Sequence, residues 1–191
     1  MRGEWCYYKS FFPKEACEYI INEALKIPEQ DATVGTHEGL KVDESIRKSK
    51  VRFIGKNHPE FLNTFRSLWE SAIEANDYWF GFHLSKLEAI QFAEYKDTYQ
   101  GEYKKHQDIF WINDGSYHRK LSCIVQLSDP DSYEGGDFEL YDITQNHPDK
   151  TELRMQGTTL FFPSFTDHAL LPVTKGTRYS LAAWFEGPKW R

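Results

Sequence analysis

From Leu87 to the end of the chain, the sequence breaks into short segments of strand-like composition, and this rhythm constrains the fold more than anything else. The segments are 87–95 (LEAIQFAEY), 101–106, 120–128 (KLSCIVQLS), 137–141 (DFELY), 152–155, 157–162 (GTTLFF), 167–173 and 177–186 (TRYSLAAWFE). Turn signals separate them: DPDSYEGG at 129–136, QNHPD at 145–149 and KG at 175–176. The N-terminal half reads differently. Segment 12–27 repeats Cys17, Ile20, Ile21 and Leu25 at helical spacing, with Pro13 suited to a first turn. Segment 59–80 does the same with Phe61, Phe65, Leu68, Trp69 and Ile73. Segment 45–54 alternates like a strand, and 29–44, polar with Gly35 and Gly39, reads as a loop that a cleft could use as a lid. The expected fold is mainly β with supporting α: a double-stranded β-helix, or jelly roll, over 87–188, buttressed by the helices of 1–86. With 191 residues, a single domain is expected.

Net charge is −6, so no basic footprint for nucleic acid is present, and the short basic runs IRKSKVR and YHRK read as solvated faces. Aromatic residues make up 16% of the chain, enough for an aromatic-lined cleft. Cys6, Cys17 and Cys123 are too scattered for a disulfide framework, and Cys123 sits in an apolar run. No segment has the length and apolarity of a membrane span or a secretory leader. A soluble, intracellular, cytoplasmic protein is expected.

Within this scaffold, four residues carry chemistry: His106, Asp108, His168 and Arg178. Residues i and i+2 of a strand share a face, so His106 and Asp108 can reach one metal ion from one strand. His168 would come from a strand remote in sequence. Two imidazoles and one carboxylate leave three coordination positions open, the arrangement of non-haem Fe(II) oxygenases. Arg178 supplies a fork of donors for one end of a dicarboxylate, Ser180 shares its face, and Ala182 beyond them leaves room. A His-x-Asp pair alone arises by chance in a chain with seven histidines; the four residues in order are a stronger signal. The other histidines read as surface or loop residues. Tyr103 and Trp184 are candidates either for packing or for cleft walls. Trp111 and Tyr117 follow the His-x-Asp pair and are candidates for the mouth.

The stretches Tyr95 to Asp108, LSCIVQLSDPDSYEGGDFEL (121–140) and GTTLFFPSFTDHALLPVTKGTRYSLAAWFEGP (157–188) resemble the Fe(II)/2-oxoglutarate-dependent dioxygenases, in their prolyl 4-hydroxylase-like branch. The resemblance covers roughly 87–188, and IRKSKVRFI fits more loosely. It implies that His106, Asp108 and His168 bind iron and that Arg178 pairs with the distal carboxylate of 2-oxoglutarate. It implies further that Tyr95 hydrogen-bonds this cosubstrate and that Ser180 completes an Arg-x-Ser pattern. Collagen-type members often carry Lys where this chain has Arg178, and Gln126 stands where a cosubstrate-binding Tyr is common. The implied cofactors are Fe(II), 2-oxoglutarate and O2, with ascorbate as reductant. The implied activity is hydroxylation of an unactivated C–H, with succinate and CO2 formed, on a prolyl residue of a peptide or protein. A free amino acid or small metabolite is the alternative acceptor. A non-catalytic jelly-roll binding module and a zinc hydrolase are rival readings, and Arg178 argues against both.

Overall fold

A computed structural model describes residues 2–36, 39–111 and 115–190. In chain order its elements are β1 (Cys6–Tyr8), α1 (Lys14–Leu25), β2 (Gln30–Asp31), β3 (Thr33–Thr36), β4 (Gly39–Val42), β5 (Arg47–Lys48) and β6 (Lys50–Gly55). They continue with α2 (Leu62–Ala75), β7 (Ala89–Lys96), β8 (Glu102–His106), β9 (Tyr117–Gln126), β10 (Tyr133–Gly135) and β11 (Phe138–Leu140). The last are α3 (Lys150–Arg154), β12 (Thr159–Pro163), β13 (His168–Leu170) and β14 (Val173–Pro188). The major sheet runs β1-β12-β9-β14-β7-β6-β2, with β10 also paired to β14, and a minor sheet runs β11-β13-β8-β5. These antiparallel sheets form the jelly roll expected from the sequence.

Period-2 alternation divides the major sheet into two faces. On β14, Leu181, Ala183 and Phe185 join Leu121, Cys123 and Val125 of β9 in a core that includes Cys17, Ile20 and Ala24 of α1 and Leu68 and Ala72 of α2. The helices therefore back the sheet. The opposite face carries Arg178, Ser180, Ala182 and Trp184 toward the minor sheet, and a cleft of about 460 Å³ lies there. Helix α2 is amphipathic for this purpose, burying Thr64, Phe65, Leu68, Ser71, Ala72 and Ala75 at three- and four-residue spacing. The three cysteines are buried thiols, and burial pushes Cys6 and Cys17 up to about 12 and Cys123 well above its usual value. No helix among the described residues is long and apolar enough to cross a membrane.

Four sequence expectations change. Segment 29–44, read as a loop, contains β2 and the β3–β4 hairpin, in which Thr33 pairs with Val42 and Val34 with Lys41. Its β-branched residues outweigh the local glycine signal. Segment 152–155, read as a strand, belongs to α3, because the Asp149 side chain accepts from the Glu152 amide (3.0 Å) and caps a run of good helix formers. The basic runs are not uniformly solvated: Arg47, Arg52 and Lys120 are buried. Likewise His118, expected at the surface, is buried on β9, where its Nδ1 accepts from the Trp190 amide (3.3 Å).

Leu68 has no solvent exposure and sits where α2 meets the sheet. Leu68→Ala is expected to cost about 2–5 kcal/mol, read as a lower urea midpoint with an unchanged slope. A cost under about 0.5 kcal/mol would contradict the packing described.

Candidate active site

The register of two short strands sets the centre of the site. β13 pairs with β8 so that His168 lies opposite His106, and their ring centroids are 4.2 Å apart. Asp108 lies two residues past the end of β8. The amides of Asp108 and Ile109 both donate to the Ser164 carbonyl (2.9 and 3.1 Å), which pins this turn to the end of β12. His106 Nε2 is then 3.8 Å from Asp108 Oδ1, and His168 Nε2 is 3.5 Å from Asp108 Oδ2. One ligand atom from each of the three residues lies within 4.8 Å of the others.

The protonation pattern suits a metal. His106 Nδ1–H donates to the Lys104 carbonyl (2.7 Å) and His168 Nδ1–H to the Thr166 carbonyl (2.9 Å). A carbonyl only accepts, so each Nδ1 carries a proton and Nε2 is the nitrogen of each ring that faces the other ligands. Burial, and then the proximity of His168, push His106 down to about 3, which keeps it neutral at pH 7. Burial opposes ionisation of Asp108, but the two imidazoles, Arg119 and the Ser122 hydroxyl overcome it and hold its carboxyl below the ordinary range. The Ser122 hydroxyl donates to Asp108 Oδ2 (2.7 Å) and lies 2.9 Å from Ser164 Oγ. Two imidazole nitrogens and one carboxylate, clustered in this way, suit a divalent first-row metal. Tyr103 stacks on His106 with centroids 3.4 Å apart, and Phe162 and Phe138 flank His168.

Arg178 lies in the same cleft and is only 3% exposed. It is the neighbour of Tyr95 across β14 and β7, and its guanidinium lies 5.9 Å from the Tyr95 ring centroid. Its Nη1 donates to Ser180 Oγ (3.2 Å), its Nε–H meets no partner, and no carboxylate among the described residues lies within ion-pairing distance. A guanidinium buried in this way needs an anion to offset its lost hydration.

Six of the seven sequence candidates thus border one cleft: His106, Asp108, His168, Arg178, Ser180 and Tyr95. Gln126 does not. It pairs with Ser180 across β9 and β14, but its amide donates to Tyr133 Oη (2.9 Å) and the Ser128 carbonyl (3.3 Å) in a separate small void beside Arg178. Ala182, Trp184 and Tyr103 line the cleft. Trp111 and Tyr117 do not: the indole N–H of Trp111 donates to Gln107 (3.3 Å), and Tyr117 carries the Lys86 ammonium over its ring. Phe110 and Ile109 take the wall instead, and Thr33 and Val34 of the β3–β4 hairpin close the far side. Sequence reasoning missed Arg47, Gln91, Arg119 and Ser122. The alternation of β9 was the available signal for Ser122, which shares a face with Ile124.

Comparison with known proteins agrees with this geometry. Residues 90–186, more than half of the chain, match the model of the 2OG-Fe(II) oxygenase superfamily. A PKHD-type hydroxylase from Synechococcus sp. is 34% identical over 91 residues, 48% of this chain and 39% of that protein. The chain covers no more than 55% of two further PKHD-type hydroxylases. Two solved structures share the fold. One is a Pseudomonas putida prolyl-4-hydroxylase (TM-score 0.68, 19% identity, 96% of this chain and 92% of that one). The other is a Trichoplax adhaerens prolyl hydroxylase in complex with a hypoxia inducible factor peptide (TM-score 0.72, 18% identity, 96% and 83%). The chain belongs to the 2OG-Fe(II) oxygenase superfamily, whose members use Fe(II), 2-oxoglutarate and O2.

Proposed function

We propose that this chain hydroxylates an unactivated C–H bond of a prolyl residue in a peptide or protein. The observation that carries the cosubstrate assignment is Arg178, a buried guanidinium without a carboxylate partner, in one cleft with the His106–Asp108–His168 cluster. The peptide acceptor is supported by the prolyl hydroxylase fold and by the β3–β4 hairpin, which lends Thr33 and Val34 to the cleft as a substrate-side wall.

In this reading, His106, Asp108 and His168 hold Fe(II). Arg178 and Ser180 grip the distal carboxylate of 2-oxoglutarate, with Tyr95 beside them. When bound, these groups supply the oxidant from O2, and 2-oxoglutarate leaves as succinate and CO2. The protein's own share is positioning and the exclusion of water. The two Nδ1–H bonds to backbone carbonyls fix ring orientation, and Ser122 fixes the Asp108 carboxylate. Ala182, small and two residues beyond Ser180, keeps the space beside the anchor open. Ile109, Phe110 and Trp184 line the cleft.

Three outcomes test the assignment. His106→Ala and Asp108→Ala are each expected to abolish succinate formation from 2-oxoglutarate in air with Fe(II) and ascorbate; full turnover by either would remove the metal assignment. Arg178→Ala is expected to raise the apparent KM for 2-oxoglutarate about 100-fold or more, since it removes the charge partner of a buried carboxylate; an unchanged KM would place the anchor elsewhere. Ser122→Ala is expected to weaken Fe(II) affinity about 10–100-fold in an anaerobic titration, without loss of the fold. For the acceptor, prolyl peptides should stimulate succinate release and gain the mass of one oxygen. Stimulation by free amino acids alone would favour the small-molecule alternative.

A further inference from the structure

The cleft holds more positive charge than iron and 2-oxoglutarate can use. Besides Arg178 it is lined by Arg47, Arg119 and Lys105, whereas Asp108 is the one carboxylate lining it among the described residues. Lys105 is satisfied, since its ammonium pairs with Asp142 (2.6 Å) and Asp167 (3.3 Å). Arg47 and Arg119 form no such side-chain ion pair among the described residues.

Arg47 is 6% exposed and pairs with no carboxylate among the described residues. Its Nε donates to Ser49 Oγ (2.8 Å), its Nη2 to Gln91 Oε1 (2.7 Å), and its guanidinium lies 4.4 Å from the Tyr103 ring centroid. Both partners are neutral acceptors. They fix the guanidinium in place without balancing its charge, and they leave other N–H groups of its five available. Arg119 is held similarly. Its guanidinium stacks over Trp184 at 3.9 Å and near Phe110 at 5.3 Å, and its Nη1 donates to the backbone carbonyl of Asp108 (3.3 Å). The Asp108 carboxylate itself is turned to the two imidazoles and Ser122. Glu186, the other acid near Arg119, pairs with Lys86 (2.9 Å).

Charge balance sharpens the point. Fe(II), the Asp108 carboxylate, the two carboxylates of 2-oxoglutarate and the Arg178 guanidinium together are neutral. Loading the site therefore leaves Arg47, buried, and Arg119, half-buried against Trp184, on the wall that faces the remaining space, without a carboxylate partner among the described residues. Such cations are costly unless the next occupant of the cleft is anionic. Both are pre-oriented by stacking and by neutral acceptors, which is how a planar fork is readied for a carboxylate.

We propose that Arg47 and Arg119 form an anion subsite beside the metal centre, and that the group hydroxylated here lies next to a carboxylate of the same substrate. This rests on the oxygenase reading above and deepens it by naming the charge class of the acceptor. The carboxylate can be an acidic side chain flanking the reacting residue in a peptide, or the acid's own carboxylate in a small molecule. The chemistry of recognition is shared, and the test separates the two sources.

The test is a calorimetric titration of the Fe(II)- and 2-oxoglutarate-loaded protein, free of oxygen, with matched acid and amide probes. Acetyl-Glu-Pro-Gly-amide is compared with acetyl-Gln-Pro-Gly-amide, and N-acetyl-L-proline with N-acetyl-L-prolinamide. The acid of at least one pair is expected to bind about ten-fold or more tightly than its amide. Preference within the peptide pair assigns the subsite to a side chain, and preference within the small pair assigns it to a free acid. Arg47→Gln and Arg119→Gln are each expected to remove most of that preference by weakening the acid and not the amide. Equal binding of acid and amide in both pairs, weak or absent binding of all four included, overturns the proposal, and this comparison on the unmutated protein stands even if a variant fails to fold. Succinate release in air is read separately. An acid preference without succinate would sink the oxygenase reading and keep the subsite; succinate without an acid preference would sink the subsite alone.

Discussion

The antiparallel pairing of β8 with β13, in the register that sets His106 opposite His168, is the constraint on which the site depends. A slip of one residue would turn one imidazole to the other face of the sheet and separate the two nitrogens. Neither strand is long: β13 has three residues and β8 five. Their register is held from outside, by the turn whose Asp108 and Ile109 amides bond the Ser164 carbonyl and by β11, which pairs with the other edge of β13. The minor sheet thus carries two of the candidate metal ligands, His106 and His168, on short strands, together with Arg47 on β5. The long strands β9 and β14 carry Arg119 and Arg178 on a sheet that the helices back.

Electrostatics and burial are coupled throughout this arrangement. Burial keeps His106 neutral, which frees its Nε2 as a ligand. The same burial makes each unbalanced guanidinium expensive. Arg178 and Arg47 are both more than nine-tenths buried without carboxylate partners among the described residues, whereas Arg52, equally buried on the helix-facing side of the sheet, is paired with Glu94 and Glu29. The contrast within one chain is informative. Where the protein buries an arginine for structure, it supplies the acid; where it lines the cleft with one, it does not.

The readability of the sequence follows from the range of the interactions involved. The Arg178-x-Ser180 pair was legible because strand periodicity puts both residues on one face, whereas Asp108, expected on the His106 strand, reaches the cluster from the turn past β8. The strand rhythm after Leu87 gave the jelly roll. The β3–β4 hairpin was not legible, since its strands are four residues each and their pairing outweighs a local glycine signal. Nor was α3, whose definition rests on a cap from Asp149. Arg47 and Arg119 sit in basic runs that read as solvated. Only tertiary structure, which places Tyr103 under one and Trp184 under the other, distinguishes a cleft wall from a surface. Gln126 was a candidate through the resemblance; in the structure its amide donates to Tyr133, brought in by β10.

The division between shared chemistry and particular substrate runs along the chain. Residues 90–186 define the family and contain the three candidate metal ligands, Arg178 and Arg119. Arg47 and the hairpin residues Thr33 and Val34 lie before that stretch, yet they close the same cleft. Fold similarity at 18–19% identity carries the jelly roll and leaves the acceptor open. In the proposed reading, side chains that the N-terminal strands lend to the cleft join Arg119 in selecting the acceptor. Among them Arg47 carries the strongest physical signal, because a fixed, buried positive charge discriminates between an acid and its neutral isostere far more sharply than an apolar wall discriminates between shapes.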